Sequence, residues 1–169
     1  MKNNIEYNKY KIFNNLEEKE IELFAKKIKN KSYNSNEVVI SEGDLGESII
    51  FLLSGEISIT KALTLPTSKN KTSDIVEKEF VRISSNQYKI FGENSLFNED
   101  NKRTATIKTL SECDFGFLSN SEFISICEKN YSVGYKVLKN LNEIITTNLI
   151  ITNHQILKLT TAFSLLIDD

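Results

Sequence analysis

Phe91-Gly92-Glu93-Asn94-Ser95-Leu96-Phe97, resumed by Lys102-Arg103-Thr104-Ala105-Thr106-Ile107, reads as the end of a strand, a glycine, a short helical turn and an arginine launching another strand. Backbone N–H groups left free at the start of a helical turn make a site for an anion. Arg103 adds a planar, permanently charged fork suited to phosphate. Glu93 conflicts with that reading, because a carboxylate repels phosphate unless it accepts hydrogen bonds from hydroxyls or from the arginine. A ligand with a phosphate next to a ribose hydroxyl resolves the conflict.

Outward from this stretch the chain is written in short strands. Upstream, Glu37–Ile40, Ser48–Leu53 and Glu56–Thr60 are apolar or alternating runs separated by turns at Gly43-Asp44 and Ser54-Gly55. Residues 65–73 are mostly polar, contain the only proline, and predict an exposed hairpin loop before a strand over Lys78–Ile83. Lys89-Ile90-Phe91 enters the opening stretch and Thr104–Thr109 leaves it. Ser111-Glu112 then turns into a strand over Cys113–Leu118. Many short strands without crossover helices predict a mainly β protein, a double-stranded β-helix (jelly-roll) sandwich.

Helices flank this core. Leu16, Ile21, Phe24, Ala25 and Ile28 recur at helical spacing and predict an N-terminal helix over Asn15–Asn30. Ser119 with Glu122 fits a capping box, and Phe123, Ile126 and Cys127 follow on one helical face. Asn130 is a break. A long C-terminal helix starts near Ser132, with Val133, Val137, Leu138, Leu141, Ile144, Ile145 and Leu149 as its apolar face. The expected organisation is a β-roll with flanking helices over 13–130 and a lid or dimerisation helix with its tail over 131–169.

Composition narrows the function. Of the 169 residues, 40% are hydrophobic and 26% charged, ordinary for a globular protein, and the net charge of −2 argues against a broad nucleic-acid-binding face. No apolar run is long enough for a signal peptide or a membrane span, so a cytoplasmic protein is expected. Cys113 and Cys127 are expected as buried, reduced thiols. A metal-dependent enzyme on a jelly roll needs several converging imidazoles or carboxylates, whereas the only histidine is His154 on the late helix. No serine or cysteine nucleophile has a histidine near a sandwich pocket either, so no catalytic residue, metal or cofactor is expected.

Taken in order, these residues resemble the cyclic nucleotide-binding domain family, shared by catabolite-activator-type regulators, protein kinase regulatory subunits and cyclic nucleotide-gated channels. The resemblance runs from about Phe13 to Leu149. It includes Phe13-x-x-Leu16, the Gly43-Asp44 turn, Ile50–Ile57 and, most sharply, Phe91-Gly92-Glu93 with Arg103–Ile107, which looks like the family's phosphate-binding cassette. Four departures stand out. The segment between Leu96 and Arg103 is one residue longer than the common pattern and lacks its proline, Asn98–Asn101 adds two carboxylates, Asn94 replaces an apolar residue, and Tyr88 sits where a glycine is common.

The resemblance implies cyclic AMP or cyclic GMP as ligand. Glu93 would accept from the ribose 2′-hydroxyl and Arg103 would pair with the exocyclic phosphate oxygens. N–H groups near Gly92, Asn94 and Ser95 would complete the cradle, and Thr104 could touch the phosphate or favour guanine. Thr147 and Asn148 on the long helix would contact the base. The same helix would carry the signal and form a homodimer, with a protein partner as another output. Too little chain follows it for a helix-turn-helix domain, so DNA binding is not expected. The alternative is a ligand-free interaction or dimerisation scaffold that keeps the fold with a degenerate cassette.

Overall fold

This computed structural model describes residues 6–63, 76–97 and 100–167. Among them, strands β1 (Lys29–Tyr33), β2 (Val38–Ile40), β3 (Ser48–Ser54), β4 (Glu56–Leu63), β5 (Val76–Ser84), β6 (Ile90–Phe91), β7 (Thr106–Thr109) and β8 (Cys113–Ser119) build two sheets. The first is ordered β1-β8-β3-β6 and the second β2-β7-β4-β5, with every pairing antiparallel. Except from β4 to β5, successive strands lie in opposite sheets, which is the expected jelly-roll arrangement.

Strand β3 explains how the layers join. Its alternating side chains point to opposite faces. Ile50 and Leu52 pack between the sheets with Ile57, Ile107 and Phe115, whereas Ile49 and Phe51 face a layer of helices. Burial on both faces is why the strand is a continuous apolar run. The helical layer comprises single 3₁₀ turns at Tyr7–Lys9 and Lys11–Phe13, then α1 (Glu18–Ala25), α2 (Asn120–Lys129) and α3 (Tyr131–Ile167). Tyr10 anchors the first segment, its hydroxyl donating to Leu52 O at 2.6 Å.

Sequence punctuation sets the helix ends. Ser119 Oγ accepts from the Glu122 N–H at 3.3 Å and caps α2, and Asn130 ends it. Gly134 lets α3 turn tightly against α2, because a Cβ there would lie 2.8 Å from Cys127 O. Val133, Val137 and Leu141 are buried. Asn140 Nδ2 donates to Ile12 O and Asn14 O at 3.0 and 2.7 Å, and Lys136 pairs with Glu20 at 2.8 Å. These contacts fasten the first part of α3 to the body. Beyond Ile144, residues 145–166 are all exposed.

The expected helix over Asn15–Asn30 needs correction. It spans only Glu18–Ala25, and Lys29–Tyr33 is instead strand β1, paired with β8 from Lys29↔Phe117 to Tyr33↔Cys113. Ile28, read as a helix-face residue, lies in the connection and fills the space above Gly116. Edge pairing to β8 overrides the local helical pattern. Strand β7 also begins at Thr106 rather than Thr104. The predicted hairpin loop at 65–73, and Asn98 and Glu99 of the cassette, lie outside the described residues. Cys113 and Cys127 are buried free thiols, and no helix among the described residues is long and apolar enough to cross a membrane.

Candidate functional site

The end of β6 and the approach to β7 open onto a cavity of about 260 Å³. Its apolar wall comes from Ile40, Ile59, Ile83 and Ile107, and its polar end from Gly92, Glu93, Asn94, Ser95, Arg103 and Thr104. Six of the expected ligand residues therefore meet in one place. Asn148 of α3 also lines this cavity. Thr147 does not. It lines a neighbouring cavity against the Lys11–Phe13 segment, and its hydroxyl donates to Glu143 O at 2.7 Å.

Gly92 adopts a left-handed conformation, φ 77°, and starts the 3₁₀ turn Glu93–Leu96. Any side chain is strained at that φ. A Cβ would also overlap Arg103 Nη1 and lie 2.8 Å from Ser48 O. The glycine thus clears room for the guanidinium. Tyr88, where the resemblance expects a glycine, is also left-handed at φ 48°. It is held edge-on to Tyr10 at 5.6 Å, with Lys9 Nζ 5.2 Å from its ring centre.

Arg103 is 6% exposed. Its backbone is clamped to the 43–44 turn: its N–H donates to Asp44 O at 2.8 Å, and its carbonyl accepts from the Gly43 N–H at 2.9 Å. Nη1 donates to Ser48 O at 2.9 Å and Nη2 to Ser48 Oγ at 3.1 Å, while Nε is buried with no partner. Burial lowers the guanidinium's pKa, opposed by the nearby charges of Asp44 and Glu93. Glu93 is 9% exposed, and burial pushes its carboxyl above the usual carboxylate range against the pull of its own N–H, Arg103 and Lys89. The site is therefore a buried carboxyl and a buried guanidinium at the end of an apolar slot. A ligand that donates to the carboxylate and accepts from the guanidinium would complete both.

The sign of the Glu93 shift has a measurable consequence. A carboxyl whose folded pKa is raised adds stability while protonated, and that contribution is lost as pH rises from 4.5 through the raised value. Glu93→Gln is therefore expected to flatten the decline in melting temperature of the ligand-free protein across this window. One kcal/mol corresponds to about 2–4 °C for a chain of this size. Parallel slopes for both proteins would place the titrating group elsewhere.

Around the site stand residues that the sequence pattern did not single out. Ser48 holds the guanidinium. Asn120, the first residue of α2, joins three elements: its Nδ2 donates to Gly46 O at 3.0 Å, Ser95 O at 3.3 Å and Ser95 Oγ at 3.4 Å. Ser95 is turned inward, its N–H and hydroxyl both donating to Gly92 O at 3.2 and 2.7 Å. Asn94 is exposed at the rim, as is Thr104. No sequence signal marks Ser48 or Asn120, because each acts on residues far away along the chain. Among the described residues, no three His, Cys, Asp or Glu converge as a metal site.

Comparison with known proteins identifies the family and the fold. Residues 30–130 match the model of the cyclic nucleotide-binding domain. Over 97 residues the chain is 35% identical to cGMP-dependent protein kinase, isozyme 1, of Drosophila melanogaster; the match covers 57% of this chain but 11% of that protein. The Thermus thermophilus catabolite activator protein superposes with a TM-score of 0.73 at 17% identity, covering 89% of this chain and 63% of the other. The regulatory domain of Toxoplasma gondii PKA, solved with cAMP, gives 0.58 at 26% identity, over 71% and 41% of the respective chains. With the family match extending over more than half of its residues and the cassette residues gathered at one cavity, the chain belongs to the cyclic nucleotide-binding domain family.

Proposed function

We propose that this chain is a regulatory module that binds cyclic AMP or cyclic GMP at the Glu93–Arg103 cavity and signals through α3. The observation that carries the proposal is one cavity lined by both buried Arg103, whose Nε has no internal partner, and buried Glu93. An unsatisfied buried donor is costly unless a ligand completes it. The ribose 2′-hydroxyl donates to Glu93, and exocyclic phosphate oxygens accept from Arg103. N–H groups near Gly92 and Asn94 add further donors, that of Ser95 being turned onto Gly92 O. The base lies along the isoleucine wall, within reach of Thr104 and Asn148.

Because Asn148 lines the same cavity, a bound base bridges the β-roll of 13–130 to the helix of 131–169. Ligand shifts the helix by its differential affinity for the two helix positions, and by no more than that. Calorimetric titration with both cyclic nucleotides tests the proposal. Saturable binding by either supports it, and no heat at millimolar ligand with a cooperatively melting protein sinks it. The second outcome favours the ligand-free scaffold, a reading supported by the internal partners that Ser95 N–H and Arg103 Nη1 and Nη2 already have.

The distal part of α3 supports homodimerisation. Leu149, Ile156 and Phe163 recur every seven residues, with Ile145, Thr152, Leu159 and Leu166 at the intervening seam positions, and all are exposed. That is the pattern of a coiled-coil seam. Sedimentation velocity is expected to give a dimer, and Ile156→Lys to weaken it at least about tenfold by placing an unpaired ammonium in the seam. A wild-type monomer with and without ligand removes this part of the proposal. The module then acts as a cytoplasmic regulator through a protein partner.

A further inference from the structure

A guanidinium offers two donor pairs, Nη1 with Nη2 at the end of the fork and Nε with Nη2 along its side. At Arg103 the end pair is occupied by a single residue. Nη1 donates to Ser48 O at 2.9 Å, Nη2 donates to Ser48 Oγ at 3.1 Å, and Nε is buried without a partner. Ser48 opens β3 and is in register with Ser119 of β8, so its carbonyl is fixed by the sheet. The hydroxyl supplies the second point. One bond lets a guanidinium swing about the donor atom, whereas two acceptors on one rigid residue set its plane.

We propose that Ser48 is the positioning residue of the phosphate site, holding the end of the Arg103 fork so that its Nε/Nη2 side addresses the anion. The inference rests on the cyclic nucleotide reading above. Ser48 itself need not touch ligand. It acts by keeping Arg103 in the cavity wall, in the space that Gly92 leaves open. A side-on fork held in one plane pairs with a defined exocyclic oxygen. A fork freed from the hydroxyl samples several planes and selects less well between the two oxygens.

The test compares wild type, Ser48→Ala and Ser48→Thr in calorimetric titrations with cyclic AMP and cyclic GMP. The two phosphorothioate diastereomers of cyclic AMP, each with sulfur in place of one exocyclic oxygen, are titrated alongside. Ser48→Ala is expected to weaken binding about tenfold, as for loss of a hydrogen bond to a charged group. The affinity ratio between diastereomers should narrow with it, and Ser48→Thr should restore both. A purely structural role would lower the melting temperature without narrowing that ratio. Ser48→Val beside Ser48→Thr repeats the comparison at equal volume should the alanine variant fold poorly. Alanine and valine variants that bind and discriminate as wild type does overturn the inference while leaving the cyclic nucleotide reading intact. Failure of wild type to bind any of the four ligands overturns both.

Discussion

Arg103→Ala is expected to weaken cyclic nucleotide binding about ten- to a hundredfold. The direct loss is a charge-assisted hydrogen bond to phosphate, roughly 1.5–3 kcal/mol, or about one to two decades. The upper end is favoured because the change also acts on Glu93. That carboxyl is 9% exposed and already displaced upward by burial, with Arg103 among the groups opposing the displacement. Without the guanidinium it holds its proton more tightly, and a protonated carboxyl is a poorer acceptor for the ribose hydroxyl. Arg103→Lys should fall between the two proteins, because an ammonium restores charge but cannot satisfy both Ser48 and a phosphate in one plane. Calorimetry on the three proteins decides it. Equal affinities would mean that the ligand binds somewhere other than this cavity.

Phe51→Ala is expected to cost about 3–5 kcal/mol of folding stability, as for other fully buried aromatics. Phe51 is 0% exposed on the helical face of β3. Its ring stacks on Phe13 at 5.8 Å and meets the edges of Tyr10 and Tyr7 at 5.2 and 5.9 Å. Those three residues belong to the N-terminal 3₁₀ segment, which in turn receives α3 through Asn140. A cavity at Phe51 therefore loosens the seat of the long helix as well as the sheet. Phe51→Leu, which keeps most of the volume, should cost about 1.5 kcal/mol or less. Urea denaturation reads both changes. A midpoint for Phe51→Ala within error of wild type would mean that the N-terminal segment does not stabilise this face.

The two changes probe different links in one chain of contacts. Arg103 stands at the cavity, and Phe51 stands where the helical layer rests on the sheet. Between them Asn120 ties the cassette residue Ser95 and the Gly46 turn to the first residue of α2, and α2 packs directly on α3. Ser95 of the 92–95 turn is thus held directly to the start of α2.

Much of the fold could be read from local pattern. β3 and β8 are apolar runs bounded by turns, and Ser119 with Glu122 announces α2. Strand β1 could not be read, because Lys29-Asn30-Lys31-Ser32-Tyr33 has no apolar alternation and exists only through its ladder with β8, about 80 residues away. The same pairing shortened the helix expected before it. In the site, Gly92, Glu93, Asn94 and Ser95 were legible because one short turn carries them, and Arg103 because it lies a few residues beyond. Helix rotation was not legible, so Thr147 and Asn148 were read alike although only Asn148 lines the cavity.

The sequence by itself determined the class of fold, and it singled out Gly92–Ser95 and Arg103 as residue types suited to a cyclic phosphate and its ribose. Those are short-range properties: periodicity, turn chemistry and the spacing from Gly92 to Arg103. Only the tertiary structure decided how the charges are held. It buries Glu93, turns the end of the Arg103 fork onto Ser48, leaves Nε without a partner and joins the 92–95 turn to α2 through Asn120. The physical reason is separation along the chain. Arg103 and Ser48 are 55 residues apart, Asn120 and Gly46 are 74 apart, and no local pattern records which backbone carbonyl a folded sheet will present to a buried guanidinium.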